Sequence, residues 1–242
     1  MGIVDVFFNA DVLRQAFPLL LSGLWTTLLL GLASIALGML LGLGLVMLRL
    51  YAPRPLRLLA VAYISLFRAL PLLVLLVLIY YALPFLGIRL SSFAAATAAL
   101  SLVSGAYTAE IFRAGIEAVP RGQFEASAAL GLRRWRAMAQ VVLPQALRIV
   151  IPPLTNNSIN VLKDTALASV VAMPDLLKQA TQAQALYANP SPLVGAAALY
   201  LVVLLPMVAL VGVLARRCVP SMSSPVPGRS PRPIINPTLV SR

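Results

Sequence analysis

The sequence predicts an all-α transmembrane protein of five spans, on three observations. Hydrophobic residues make up 60% of the 242-residue chain and charged residues only 11%, with a mean hydropathy of +0.93. That balance lies far from that of a soluble domain. Residues 15–48, 69–88, 90–109 and 179–215 carry no charge, and about 20 apolar helical residues cross a hydrocarbon core about 30 Å thick. Basic residues, 19 against 7 acidic ones, gather between those runs as they do in cytoplasmic loops. The net charge of +12 therefore reads as membrane orientation and lipid contact, not as nucleic-acid binding.

The first span is expected within Phe17–Leu48, behind an external segment 1–16 that carries Asp5 and Asp11. That acidic start argues against a cleaved signal peptide. Gly38 and Gly42 form a G-xxx-G pair in this span. The pair suits close helix contact, although glycine is also common in membrane helices generally. A turn with two prolines and three arginines, 49–57, follows. The second span runs from Leu58 to Leu83-Pro84, with Pro71 and Pro84 as bends or ends. Residues 58–67 read as interfacial, with Arg68 snorkelling to the cytoplasmic headgroups.

The third span covers Ser92 to Phe112. A fourth, shorter segment, Ala146–Leu162, carries Asn156, Asn157 and Asn160. Amides are costly against lipid, so this helix should face protein or a water-filled path. The fifth span lies within Leu193–Ala215. The tail, 216–242, has six prolines in the 23 residues from Pro220 and reads as disordered. With the 49–57 turn inside, the inside segments hold 14 of the 19 basic residues. This bias predicts an external N-terminus and a cytoplasmic C-terminus.

Several function classes drop out. One cysteine, Cys218, and no histidine exclude a disulfide framework, a Cys/His metal cluster and His-dependent catalysis. No acid, base or nucleophile constellation points to an enzyme, so no catalytic and no metal-binding residue is predicted. No G-x-x-x-x-G-K-[ST] loop cradles phosphates. No internal repeat supports the alternative of an ion-gradient-driven secondary transporter, in which Asp164 and Glu110 would be the ion-coupled carboxylates.

On this topology residues 113–145 form the largest cytoplasmic element. Glu125 to Leu130 is a helix-forming run of small residues, and Gly131 permits a sharp bend. Leu130, Leu132, Trp135 and Met138 lie beside Arg133, Arg134 and Arg136. Such a helix fits a groove on a partner protein or lies on the membrane surface; the residues alone do not choose.

Glu125-Ala126-Ser127, then Gly131, then Val141-x-Leu143-Pro144 resembles the EAA signature of binding-protein-dependent ABC importer permeases. Ser127 replaces the third small residue and Val141 an isoleucine. LFRALPLLV (66–74), SGAYTAEIFRAGI (104–116), LPQALRIVIPPLTN (143–156) and INVLKDTALASVVAMPDLL (159–177) resemble the polar amino acid branch of that family. The resemblance implies the five-helix type I (MetI-like) permease fold in a bacterial inner membrane. It implies that the EAA segment is a coupling helix for two ATP-binding subunits, which hold the ATP and magnesium, so this chain binds no cofactor. It further implies a second permease, identical or paralogous, and an external binding protein that delivers the amino acid.

The candidate substrate path follows from polar residues in the spans. Asn156, Asn160 and Asp164 are spaced by four, on one helical face. Asp164 suits an ammonium group, while Lys163, Thr165 or the amides suit a carboxylate. Lys163 and Asp164 read equally well as an interfacial ion pair. Glu110 follows Ser104 and Tyr107 in the third span, and an intramembrane acid suggests a functional contact. Arg113, three residues on, offers the competing reading of a helix-end pair.

Overall fold

The computed structural model describes residues 6–218, so residues 1–5 of the expected N-terminal segment and 219–242 of the expected tail lie outside the described residues. All regular structure among the described residues is helical. Helix α1, Ala10–Tyr51, starts ahead of the expected Phe17 because Asn9 caps it, its side chain accepting from the N–H groups of Asp11 and Val12 at 3.1 Å. At 42 residues it is about 63 Å long, roughly twice the hydrocarbon thickness. Its buried positions, Ala16, Leu20, Gly23, Thr27, Leu30, Ser34, Gly38, Gly42 and Leu45, recur every three to four residues and form a stripe of mostly small side chains.

The expected second span is two helices. α2, Arg54–Ala69, and α3, which begins at Leu72 and continues as tighter and wider turns to Leu86, are bent by 103°. The cause is Pro71: it has no N–H to extend the ladder, and it drives Leu70 into the extended region at ψ 130°. α4, Ser92–Glu117, is capped by Ser91 and runs beyond the expected Phe112. α5, Arg121–Ala129, and α6, Arg134–Ala137, lead through a wide turn, Met138–Val142, into α7, Leu143–Asp164. A tight helical turn, Thr165–Val171, precedes α8, Leu176–Tyr187, and α9, Ser191–Cys218, closes the chain. Four helical segments are long and apolar enough to span a membrane, and the bent α2–α3 pair would make a fifth.

α1 and α4 lie side by side and parallel, Ser34 meeting Ser101, Gly38 meeting Ser104 and Gly42 meeting Thr108. The expected G-xxx-G pair therefore makes a close helix contact. α7 runs antiparallel to them: Gly115 faces Val150, Asn157 reaches Ser104, and Leu162 presses on Gly31. α9 begins beside the start of α1, where the backbone N–H of Asn9 donates to Ser191 Oγ at 3.0 Å and Gly195 faces Leu13 and Leu20. The bundle thus has an Asn9 end, with α8 and the α3–α4 turn, and an Arg49 end, with α5 and α6. The main core joins α1, α3, α4, α7 and the Thr165–Val171 turn through Leu30, Leu76, Ala99, Val161 and Val171.

Candidate functional site

Two concavities mark the bundle, one at mid-depth between α4 and α7 and one at the Arg49 end. The first, about 280 Å³, is lined by Leu72, Leu100, Val103, Ser104, Tyr107, Asn157, Asn160, Val161, Lys163 and Asp164. Helix periodicity explains the α7 wall: 157, 160, 161 and 164 are spaced i, i+3, i+4 and i+7, one face of the helix. Asn157 is fixed across the gap to α4, its Nδ2 donating to Ser104 Oγ at 3.2 Å and Thr108 Oγ1 at 3.4 Å. Asn160 and Lys163 are exposed and Asp164 is half-buried. A carboxylate, an ammonium, two amides and a phenol therefore share one cavity with an apolar wall. That set can take the two charges of a zwitterion and an uncharged side chain at once.

The remaining expected site residues lie elsewhere. Asn156, four residues from Asn160, is exposed and outside the lining. Thr165 is fully buried and donates its hydroxyl to the carbonyl of Leu162 at 2.7 Å. Glu110 is held by guanidiniums: Arg49 Nη1 is 3.0 Å away, Arg113 Nε donates at 2.9 Å, and Arg68 Nη1 lies at 3.9 Å. Arg113 also grips Glu117, four residues on. Glu110 thus joins α1, α2 and α4, of which the spacing to Arg113 disclosed only one arm. Arg68, expected to snorkel to the headgroups, is exposed, and its guanidinium also lies beside the Glu110 carboxylate and the Tyr107 ring face, 5.4 Å from the ring centroid. Asn157 is the lining residue that the four-residue spacing of Asn156, Asn160 and Asp164 leaves out; it lies one turn before Val161, which lines the same cavity.

The second concavity lies at the Arg49 end. Chain reversal there comes from Gly131, at φ +73°. The N–H of Leu132 donates to Ser127 O at 3.1 Å and that of Gly131 to Ala128 O at 2.9 Å. This pair of bonds with a left-handed glycine is a Schellman cap. Ser127 is buried and donates to Gln123 O at 2.6 Å, whereas Glu125, Ala126, Leu143 and Pro144 are exposed. The small Ser127 thus seats α5 against its own chain, and Glu125 and Ala126 face out. A groove of about 740 Å³ runs alongside, lined by Leu50, Tyr51, Phe124, Glu125, Ala128, Leu132, Arg134, Trp135, Ala137 and Met138. Its apolar wall is open, with Tyr51 64% and Trp135 62% exposed.

Known proteins share this architecture. A crystal structure of an amino acid ABC transporter with histidines contains a chain that superposes with a TM-score of 0.82 at 38% identity, covering 85% of this chain and 96% of that one. A methionine ABC transporter in inward-facing conformations gives 0.69 at 22% identity, which speaks for the fold alone. The arginine transport system permease ArtQ of Bacillus subtilis is 37% identical over 204 residues, 84% of this chain and 92% of the relative. The L-cystine transport system permease TcyB of the same organism is 40% identical over 173 residues, 71% and 74% of the two. The family model for the binding-protein-dependent transport system inner membrane component matches residues 34–220. A coverage this wide, with relatives of this identity on both measures, makes the chain a member of the family of binding-protein-dependent transport system inner membrane components.

Proposed function

We propose that this chain is the membrane-spanning subunit of an ATP-driven importer of polar amino acids. The observation that carries the reading is the cavity in which Lys163 and Asp164 stand with Asn157 and Asn160 within a membrane bundle. Every amino acid presents an ammonium and a carboxylate, and this wall offers a partner for each. The amino-acid and arginine or cystine transport named for the relatives supports the substrate class. The arginine bias supports an external Asn9 end and a cytoplasmic Arg49 end, with five crossings when α2 and α3 count as one.

In this reading Glu125, Ala126 and Gly131, with Leu143 and Pro144 behind them, present α5 to an ATP-binding subunit. Two such subunits hold ATP and magnesium, a second permease completes the path, and an external binding protein delivers substrate. Closure of the ATP-binding pair moves the two coupling helices together and turns the cavity from the cytoplasmic to the external side. Gly131 offers the test, because a Cβ built there meets nothing within 4 Å of this chain. A large side chain at that position disturbs the turn and whatever docks against it, but not the bundle. Gly131→Trp should abolish ATP-dependent uptake in proteoliposomes with normal membrane insertion. Full uptake by that variant would remove the coupling role.

A further inference from the structure

We propose that Arg68 is the residue that closes the cytoplasmic end of the substrate cavity. The inference rests on the transport-path reading above and assigns a gate to it. Tyr107 is the last α4 residue of the cavity lining, and Glu110 lies one turn, about 4.5 Å of helix rise, further toward the Arg49 end. Arg68 spans these two levels, its guanidinium carbon 5.4 Å from the Tyr107 ring centroid and its Nη1 3.9 Å from Glu110. It thus stands next to the inner edge of the cavity, on the α2 side, in contact with the Tyr107 ring that lines it.

The three arginines on Glu110 are not equivalent. Arg49 and Arg113 hold the carboxylate at 3.0 and 2.9 Å and are 26% and 24% exposed. Arg68 holds it at the looser distance of 3.9 Å and is 42% exposed. Removing Arg68 leaves Glu110 fully partnered, so its departure exposes no unpaired buried acid. Arg68 also sits in the last turn of α2, at the 103° break before α3, and Leu72 just past the break lines the cavity. Movement at that break carries the guanidinium off Tyr107 and changes the cavity wall in the same step. Arg49 and Arg113 act as the fixed frame, and Arg68 as the moving part.

The test uses the whole transporter, assembled with its other subunits in proteoliposomes. This chain carries Cys218→Ser and Asn160→Cys, and a membrane-impermeant maleimide reads the new thiol by the mass of this chain. Arg68→Gln should raise the rate of labelling from the cytoplasmic side about tenfold, the loss of one cation–π contact and one part-exposed ion pair. Arg49→Gln, which removes an arm of the same Glu110 but touches no cavity residue, should leave that rate unchanged. Should Arg68→Gln fail to assemble, Arg68→Met keeps an unbranched side chain but removes the charge and should give the same rise. Equal rates for the Arg68 and Arg49 variants, with the thiol still reactive from outside, would overturn the gate and leave the path intact. A thiol that reacts from neither side in any variant would overturn the path itself and the gate with it.

Discussion

Asp175 shows how one residue stores a pH dependence. It is fully buried at the start of α8, where one carboxylate oxygen accepts from the N–H of Lys178 at 3.1 Å and the other has no partner. Burial pushes its carboxyl from the ordinary 3.8 up to about 6, against the pull of the helix N–H groups and of Lys178. A folded-state value above the unfolded one means that the folded protein binds the proton more tightly. The stabilising contribution is therefore complete below 3.8 and is lost as pH rises through about 6. Asparagine caps a helix as well as aspartate but does not ionise. Asp175→Asn should flatten the stability profile between about pH 4 and 7 and raise neutral-pH stability by about 1–3 kcal/mol. Thermal unfolding in detergent across that range measures it, and an unchanged slope would refute the buried-carboxyl account. Sequence alone marked Asp175 as nothing special, since burial depends on Thr27 of α1, whose hydroxyl accepts from the N–H of Leu176 at 3.0 Å.

At the scale of the element, α1 and α4 are held by the absence of side chains. A Cβ on Gly42 would lie 2.5 Å from Thr108 Cβ and 2.9 Å from the carbonyl of Gly105, while one on Gly44 meets nothing within 4 Å. Helices in lipid gain little from apolar area and depend on close packing, so the two glycines, two residues apart, should respond oppositely. Gly42→Val should cost about 1–3 kcal/mol by overpacking, seen as a fall in detergent melting temperature. Gly44→Val should match the parent, and a fall as large as that of Gly42→Val would show that packing is not the reason. The G-xxx-G spacing was legible in the sequence and pointed to this contact. The α2–α3 break was half legible: Pro71 marked a bend, but its 103° angle depends on what α2 packs against. Ala60 and Ile64 seat α2 on Leu45 and Ala109, and no local pattern states that pairing.

For the whole molecule, topology is the testable quantity. Leu186 on α8 and Leu130 after α5 are 70% and 80% exposed and belong to opposite ends of the bundle. With Cys218→Ser as background, Leu186→Cys should react with an impermeant thiol reagent only from outside, and Leu130→Cys only from the cytoplasm. Reaction of both from one side would refute the proposed orientation.

What could be read from the chain alone was the class, the order of the apolar segments and the turn at Gly131. Each of these rests on hydrophobicity, charge or backbone freedom within a short window. Only the tertiary structure decided which polar residues meet. Asn157 and Asp164 share a cavity with Tyr107 of another helix, Thr165 turns into the core, and Arg68 crosses to Glu110. Contacts between helices depend on register and rotation, and those are set by close packing at Gly38, Gly42 and Gly115, where distant segments meet with no side chain between them.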